Sequence, residues 1–286
     1  MRGKPYPPLT CGVASPSFLA MSDGSGIKSV TLAAVVIARN EEAQLGACLE
    51  ALRFADEVVV VLDRSTDRSA EIARGAGAQV IEGAWELEGP RRNAGLDACH
   101  SDWILEVDAD ERVTPALVAE IRAAIAKPAS DVFLVPMANH IGEHFIAHGW
   151  GAYNGIAAKP ILFRAGTKRW GAGRVHPSIA LPASRGVLRE KMIHFVDRDI
   201  ADMFRRLNRY TDLAALDAID KGERPRLPSA LRRLFSRGWK SYVARQGYRE
   251  GAYGVALATF SALYPLLIYL KVATHEAAQR TGDKNR

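Results

Sequence analysis

The sequence predicts an α/β fold, with a mostly parallel sheet followed by a helical C-terminal appendage. In the first half of the 286 residues, short apolar runs alternate with segments of helical periodicity. Strands that alternate with helices form βαβ units, which build parallel sheets through right-handed crossovers. Later in the chain, apolar residues recur only at helical spacing. We therefore expect a loose leader at 1–27, an α/β domain at 28–195, a helical region at 196–275 and a tail at 276–286.

Each predicted strand of the α/β domain is a short apolar run that stops at a polar loop. The strands cover Val30 to Ala38, Val58 to Leu62, Val80 to Ile81 and Trp103 to Val107. The helices between them run from Leu45 to Leu52, from a Ser65 or Thr66 cap through Ile72, and from Pro90 to Cys99.

The next helix has the clearest pattern in the chain. Pro115 stands at a first-turn position, and Leu117, Ile121 and Ile125 share one apolar stripe. Past residue 128 the chain becomes rich in glycine, and we expect strands and loops there that complete the sheet.

The cysteines and the first residues bear on the compartment. Cys11, Cys48 and Cys99 are too few and too scattered for a disulfide framework or a Cys-x-x-Cys metal site, so a reducing compartment is expected. The first 27 residues contain several prolines and glycines and no continuous apolar run, which argues against a secretory signal.

Two aspartates follow the fourth strand, at the end of the sheet where ligands bind in open α/β folds. Asp108 and Asp110 are one residue apart, so both carboxylates can face one crevice. Such hard oxygen donors suit Mg²⁺ or Mn²⁺. A solvated acidic turn is the alternative interpretation, because Asp-x-Asp alone is a weak signal.

The helical region combines a basic stretch with an apolar one. Between Lys221 and Arg249, nine basic residues face one acidic residue within a formal net charge of +6. The run from Ala252 to Leu270 then carries no charge for nineteen residues. Binding to an anionic membrane surface would account for both the basic stretch and the adjacent apolar run, whereas binding to nucleic acid would account only for the basic stretch. We favour an interfacial or core helix over a single membrane span.

Four ordered motifs lie at the ends of successive strands. They are Ile37 to Glu42, Asp63 to Asp67, Arg91 to Asn93 and Asp108 to Glu111. Together they resemble the family 2 glycosyltransferases with the GT-A fold, and within that family the lipopolysaccharide core glucosyltransferase group. The resemblance is strongest before residue 126 and implies that the 28–195 region is a GT-A catalytic domain.

The resemblance implies roles for individual residues. Asn40 and Glu41 would line the nucleotide, and Asp63 would accept a hydrogen bond from its base. Arg92 would stand near the diphosphate. Asp108 would reach the ribose or the metal, whereas Asp110 would hold the Mg²⁺ or Mn²⁺ that bridges the two phosphates.

The chain departs from the family pattern in places. The Asp63 to Asp67 motif is one step shorter than usual, and Gly149 to Asn154 only approximates Gly-Trp-Tyr-Pro-Asp. His176 is followed by proline where the family has His-Glu, so the expected carboxylate is missing. The general base therefore stays open among His176, Glu143 and His144.

The implied activity is transfer of a hexose from a nucleotide diphosphate sugar to a saccharide acceptor, with inversion and a divalent cation. The expected acceptor is a lipid-anchored glycan such as lipopolysaccharide core, which places the enzyme in the cytoplasm, peripheral on the inner membrane. Two alternatives are transfer to a polyprenyl phosphate and a non-catalytic scaffold that binds nucleotide sugars.

Two other classes of enzyme fit the sequence poorly. His140 to His144 matches the His-x-x-Glu-His pattern of a zinc peptidase, but Gly142 and a preceding strand argue against the helix that such a site needs. The first strand lacks the Gly-x-Gly-x-x-Gly loop of a dinucleotide-dependent oxidoreductase.

Overall fold

The α/β fold class and the helical appendage are both confirmed. The structure, a computed structural model, describes residues 29–150, 158–173 and 177–284, with side chains through residue 275. The predicted leader at 1–27 and the candidate base His176 lie outside the described residues.

Twelve strands occur in the described part of the chain. They are β1 (Leu32–Ala38), β2 (Glu57–Asp63), β3 (Gln79–Gly83), β4 (Trp103–Asp108), β5 (Glu111–Arg112), β6 (Val132–Ile141), β7 (His144–Phe145), β8 (Ala158–Arg164), β9 (Arg169–Trp170), β10 (Ile179–Ala180), β11 (Gly186–Val187) and β12 (Met192–Asp197). The main sheet has the order β3-β2-β1-β4-β8-β6-β12-β5, with β7 and β11 paired to β6, and β9 pairs with β10 separately.

The helices fall into two groups, one on each side of β12. They are α1 (Glu42–Glu50), α2 (Ser69–Gly75), α3 (Glu88–Asp97), α4 (Pro115–Ala126), α5 (Ile200–Asp220), α6 (Leu227–Trp239) and α7 (Gly251–Lys284). A π-helical turn over Lys240–Ala244 and a 3-10 turn over Gly247–Glu250 connect α6 to α7.

All seven residues of the central strand β1 are buried, because helices cover both faces of the sheet at this strand. Successive side chains of a strand point to opposite faces. Val36 accordingly packs in the cluster that contains Leu45 of α1 and Ile121 of α4, whereas Val35 packs in the cluster that contains Leu96 of α3. A parallel strand that is buried on both faces has a continuous apolar sequence, and β1 was therefore predicted to within two residues of its observed bounds.

The prediction for α4 is confirmed and that for the start of α2 is wrong. Leu117, Ile121 and Ile125 are buried, and Thr114 Oγ1 caps the helix by accepting from the Leu117 amide at 3.2 Å. In contrast, α2 begins at Ser69 without a side-chain cap, because the Ser65 and Thr66 region bonds to the loop after β1. The other predicted elements of the α/β domain shift by only a few residues.

The sheet changes character beyond β4. The first four strands are parallel, but β8 pairs antiparallel with both β4 and β6. Strand β12 then pairs parallel with β6 and antiparallel with β5. It extends two residues past the predicted domain boundary at residue 195. The predicted mostly parallel sheet is therefore correct for the half that contains β1 to β4, and the remainder of the sheet is mixed.

The C-terminal helices pack on one another and on the sheet. Leu257 of α7 lies in one cluster with Ile141 of β6 and Met203 of α5. Further along, Lys271 Nζ of α7 donates to Asn208 O at 2.9 Å and forms an ion pair with Asp212 of α5 at 2.6 Å. Helix α7 also continues to Lys284, past the predicted start of the tail at 276.

One helical segment of the described chain meets the length and composition that a membrane span requires. It runs from Gly247 to His275, and 28% of its apolar window is buried within the protein. Pro265 lies inside this helix.

A buried ion pair ties β4 to the segment that follows β8. Glu106 and Lys168 are both nearly inaccessible to solvent, and Lys168 Nζ donates to Glu106 Oε2 at 2.5 Å and to Pro160 O at 2.9 Å. Burial raises the pKa of Glu106, but Lys168 and Arg92 outweigh this effect and hold the pKa below its usual value. Breaking such a pair leaves an uncompensated buried charge.

Replacing Lys168 with methionine is expected to destabilise the fold by about 3–5 kcal/mol, because Glu106 loses a buried cationic partner. Urea unfolding followed by circular dichroism measures this loss. The neighbouring Arg169→Met is the matched control, since Arg169 pairs with Asp97 on the surface, and it is expected to cost about 0–1 kcal/mol. Equal unfolding free energies for the two variants would contradict the structural role of the pair.

Candidate functional site

Polar residues gather at one edge of the parallel half of the sheet. The register pairs Ala38 of β1 with Leu62 of β2, and Ile37 of β1 with Asp108 of β4. Parallel strands end at the same edge, so the residues after β1, β2 and β4 meet there. The sequence-predicted residues Asn40, Glu41, Asp63, Asp108 and Asp110 are therefore brought to one edge, and Arg92 of α3 contacts Asp108 there.

The loops after β1 and β2 hold each other through hydrogen bonds. Asn40 has a positive φ of 55°, which turns its amide toward the second loop. Its backbone N donates to Ser65 Oγ at 3.1 Å, and its side-chain Oδ1 accepts from the Thr66 amide at 2.8 Å. The next amide, that of Glu41, donates to Ser69 Oγ at 3.0 Å. Asn40 therefore fixes the loop geometry in addition to its predicted role beside the nucleotide.

Asp63 is a buried carboxylate whose two oxygens accept from several donors. Arg64 binds it in a bidentate manner at 2.9 Å, the Trp85 amide donates at 3.1 Å, and Arg91 donates at 3.2 Å. Burial raises the pKa of Asp63, but the hydrogen bonds from Arg64 and Trp85 dominate and lower it. The carboxylate is therefore ionised and firmly oriented at neutral pH. The hydrogen bond between Asp63 and the base of the nucleotide stays a prediction.

Asp108 lies between two cations. Arg92 Nη2 donates to Oδ1 at 3.0 Å, and Lys159 Nζ donates to Oδ2 at 3.2 Å. Burial raises the pKa of Asp108, but Arg92 and Lys159 hold it well below its usual range. Because both of its oxygens already accept from protein cations, Asp108 is a poorer metal ligand than the sequence suggested.

Lys159 reaches this site because of the antiparallel pairing between β4 and β8. The register pairs Leu105 with Leu162, and continuing it places Lys159 opposite Asp108. Lys159 Nζ also donates to Glu111 Oε1 at 2.6 Å. Burial lowers the pKa of Lys159, but the two carboxylates raise it above its usual value, so the ammonium stays charged.

Asp110 is differently placed, since Oδ1 is buried and has no hydrogen-bond partner among the described residues. Its other oxygen, Oδ2, lies 3.5 Å from His194 Nε2. The Nδ1 atom of that histidine is 2.9 Å from Asn139 Oδ1, a contact that orients the ring and directs Nε2 toward Asp110. This arrangement places an unpartnered carboxylate oxygen and an imidazole nitrogen, two kinds of metal ligand, at the same point.

The register of β12 creates this arrangement. His194 pairs with Glu111 of β5 and with Asn139 of β6. The Phe195 amide then donates to Asp110 O at 2.9 Å, which fixes the backbone that carries the carboxylate. A residue more than eighty positions away in sequence is thereby placed beside Asp110.

Negative charge accumulates around Asp110. Burial raises the pKa of Glu41 to about 7, and the Asp110 and Asp67 carboxylates contribute to the rise. Like charges disfavour each other's ionised form. A cation bound at Asp110 would relieve this repulsion, so the electrostatics of the site favour one.

The hairpin that carries Glu143 and His144 follows the carboxyl end of β6, a few residues past Asn139. Gly142, with a φ of 55°, makes the turn between β6 and β7, and Glu143 is exposed on it. His144 Nε2 is 3.0 Å from Glu250 Oε2, and His148 Nδ1 is 2.7 Å from Glu250 Oε1. No group of three metal-ligating side chains occurs in the described residues. The predicted polar hairpin is present, and the zinc peptidase interpretation has no support.

Three site residues were missed by the sequence reasoning. Lys159, His194 and Asn139 lie on β8, β12 and β6, in the part of the chain that follows the four ordered motifs. The available signal was weak: His194 and Asn139 are polar residues that interrupt otherwise apolar strands. From sequence alone, a polar residue within a strand is interpreted as a hydrogen-bonded core residue, because its partner in the fold is not known.

Comparisons with known proteins agree with the sequence motifs. A lipopolysaccharide core biosynthesis glycosyltransferase, LpsC of Rhizobium meliloti (strain 1021), is 26% identical over 268 residues, which cover 91% of this chain and 96% of that protein. An uncharacterized glycosyltransferase of Rickettsia bellii (strain RML369-C) is 34% identical over 104 residues, which cover 36% of this chain and 35% of that protein.

Among solved structures, the chain shows similarity to residues 1–349 of S. aureus TarS, with a TM-score of 0.44, 16% identity, and coverage of 88% of this chain and 92% of that chain. Glucosyl-3-phosphoglycerate synthase from Mycobacterium tuberculosis, solved with Mn²⁺, UDP and glucosyl-3-phosphoglycerate, has a TM-score of 0.34 and 22% identity over 39% of this chain and 44% of that chain. The sequence model of Glycosyl transferase family 2 matches residues 33–190, more than half of the chain. The predicted family and GT-A fold are thus confirmed, and the chain belongs to glycosyl transferase family 2.

Proposed function

We propose that this glycosyltransferase moves a hexose from a nucleotide diphosphate sugar to a saccharide acceptor, with a divalent cation and with inversion at the anomeric carbon. The observation that carries the proposal is the pair formed by Asp110 and His194, with an unpartnered carboxylate oxygen at the ligand-binding edge of the sheet. The similarity to LpsC supports an acceptor in lipopolysaccharide core or a related cell-envelope glycan.

Mg²⁺ or Mn²⁺ fits the residues present. Asp110 and His194 would hold it, since one supplies a buried free oxygen and the other an imidazole nitrogen that Asn139 orients. Carboxylate and imidazole together favour Mn²⁺ over Mg²⁺, which prefers oxygen ligands alone. When bound, the cation would stabilise the negative charge of the departing nucleotide diphosphate.

The chain's own cations would assist at the same edge. Arg92 and Lys159 flank Asp108 and remain charged, so they would donate hydrogen bonds to a diphosphate that replaces part of their pairing with Asp108. Asp108 holds both of them in place and acts as a positioning residue, while Asn40, Glu41 and Asp63 would line the nucleoside. Because these groups are fixed before substrate arrives, little reorganisation is required when charge develops.

An acceptor hydroxyl needs a base within hydrogen-bond reach for direct inverting attack. Glu143, His144 and His176 remain the candidates from the sequence. His144 Nε2 already bonds to Glu250, and the ring stacks on Tyr253 at 4.8 Å, so Glu143 is the less encumbered of the two described residues. A polyprenyl phosphate acceptor and a non-catalytic scaffold stay open as alternatives. Analysis of labelled products separates the two acceptors, and binding without turnover indicates the scaffold.

We expect nucleotide binding to depend on Mn²⁺ through Asp110 and His194. Calorimetric titration of UDP and of GDP, each with and without Mn²⁺, identifies the nucleotide. In Asp110→Asn and in His194→Ala, the affinity gained from Mn²⁺ is expected to fall about tenfold or more, because each variant removes one ligand of the ion.

Asp131→Asn is the matched control for that titration, because Asp131 is a surface carboxylate paired with Arg164. It is expected to bind like the wild type. Unchanged Mn²⁺-dependent affinity in a folded Asp110→Asn variant would remove Asp110 from the metal site. Absence of binding for either nucleotide in the folded wild type would overturn the proposed donor site.

We further propose that α6 and the start of α7 dock on an anionic membrane surface, in line with a cytoplasmic, peripheral location. Phe235 and Trp239 of α6 are 72% and 67% exposed, and Val255 of α7 is 51% exposed. These three side chains line one open apolar groove between the helices. Exposed basic side chains flank the groove, as in helices that lie in a membrane interface. They include Arg232, Arg233 and Lys240.

Changing Arg232, Arg233 and Lys240 together to glutamine is expected to reduce cosedimentation with phosphatidylglycerol-containing vesicles about tenfold or more, since each basic residue near such a surface contributes about 1 kcal/mol. Phosphatidylcholine vesicles give the baseline. Arg237 is left unchanged, because it points into the protein.

The matched control is the triple change of Arg53, Arg68 and Arg74 to glutamine, which removes the same charge from exposed positions of the α/β domain. It is expected to leave most of the vesicle binding intact. Equal losses in the two triple variants would show that net charge, and not the face of α6, determines the binding.

A further inference from the structure

Besides the open groove on α6 and α7, a second cavity lies between the sheet and the C-terminal helices. It has a volume of about 380 Å³, within the range of about 300–1,000 Å³ that is typical of small-molecule sites. Strands β6 and β12 supply one wall, and α5, α6 and α7 supply the others. Its polar lining includes Asn139, Asp197, Arg206, Tyr210, Arg237 and Tyr264.

Arg237 brings an uncompensated positive charge to this cavity. Its guanidinium lies between two rings, 4.7 Å from the centroid of Trp150 and 5.4 Å from that of Tyr264. Its Nε atom is buried without a hydrogen-bond partner among the described residues. Burial lowers the pKa of Arg237 from its usual value, although an arginine stays charged at neutral pH. By sequence, this residue is one of the nine basic residues from Lys221 to Arg249 that are predicted to meet a membrane surface, whereas the structure places its guanidinium at the cavity.

The other charges of the cavity offset one another. Arg206 Nη2 donates to Asp197 Oδ2 at 2.6 Å. Burial raises the pKa of Asp197 to about 6, despite the nearby Arg206. The lining therefore carries a net positive charge that resides on Arg237. A half-buried cation of this kind favours an anionic ligand, because a charge that lacks a partner is costly where water is partly excluded.

The cavity borders the proposed metal site through two side chains. Asn139 lines the cavity, and its Oδ1 is 2.9 Å from His194 Nδ1. The opposite nitrogen of that imidazole is 3.5 Å from Asp110 Oδ2. A ligand in the cavity would therefore lie next to the edge of the sheet where the donor sugar is proposed to bind, which is where an acceptor must be.

We infer that this cavity binds the acceptor through an anionic group, a carboxylate or a phosphate carried by a sugar, and that Arg237 is the residue that selects for it. The inference rests on the proposed transfer to a saccharide. Arginine binds both anions in a planar, bidentate manner. Trp150 and Tyr264 hold the guanidinium plane and add apolar ring surface of the kind on which sugar rings pack.

The test compares the binding of methyl glucuronide, glucose 6-phosphate and methyl glucoside to the full-length protein by titration calorimetry. The wild type is expected to bind at least one of the two anionic sugars about tenfold or more tightly than the neutral glucoside. Whichever anion is preferred identifies the carboxylate or the phosphate as the recognised group. In Arg237→Gln the preference is expected to shrink to less than about threefold, whereas Arg237→Lys keeps part of it.

Arg53→Gln is the control, because Arg53 is an exposed arginine that pairs with Glu50 on the surface and does not line the cavity, and it should bind all three sugars like the wild type. Equal affinity of the wild type for neutral and anionic sugars would overturn the inference, even if Arg237→Gln fails to fold. A preference that survives in folded Arg237→Gln would also overturn it. Mn²⁺-dependent nucleotide binding is read separately in each variant, so failure of the donor site is distinguishable from failure of the acceptor cavity.

Discussion

The antiparallel pairing of β12 with β5 is the constraint on which the rest of this site depends. It sets His194 opposite Glu111 and lets the Phe195 amide bond to the Asp110 carbonyl. The same strand pairs with β6 on its other side, which orients the imidazole through Asn139. Because β12 leads directly into α5, this pairing also fixes where the C-terminal helices meet the sheet. One strand therefore positions the proposed metal ligand and the wall of the second cavity.

The electrostatics of the sheet edge separate two aspartates that look equivalent in sequence. Asp108 is neutralised by Arg92 and Lys159 and serves to hold those cations. Asp110 keeps a buried, unpartnered oxygen. Carboxylates one residue apart can thus have different environments, because neighbouring strands approach each of them with different side chains. The difference favours a single carboxylate ligand for the proposed cation.

The two proposals for the helical region use opposite faces of the same elements. The inner faces of α5, α6 and α7 close the cavity that contains Arg237. The outer faces of α6 and α7 expose the apolar groove with Phe235 and Trp239. A membrane-anchored acceptor bound at the outer groove would have a short path to the inner cavity. This geometry connects the two proposals without requiring α7 to cross the bilayer.

The sequence determined much of the α/β domain by itself. β1 is a continuous apolar run because helices cover both faces of its sheet, and α4 shows its buried stripe and its proline start directly. The ordered motifs after β1, β2 and β4 identified the edge of the sheet that matters, since polar loops at the ends of parallel strands must converge. The resemblance to family 2 glycosyltransferases assigned Asn40, Asp63, Arg92, Asp108 and Asp110 to a site there, and the structure brings them to that edge, whereas their roles stay predictions.

Only the tertiary structure decided which side chains join those residues. Lys159 and His194 come from strands whose partners depend on long-range register, and no local pattern encodes register between strands so far apart. The direction of Arg237 was equally hidden, because a basic residue on an amphipathic helix reads as solvent-facing until the helix is packed. Local periodicity therefore determined the helices, the strands and the edge of the sheet at which the polar loops meet. Strand register and helix packing determined which charged side chains lie near that edge and in the cavity.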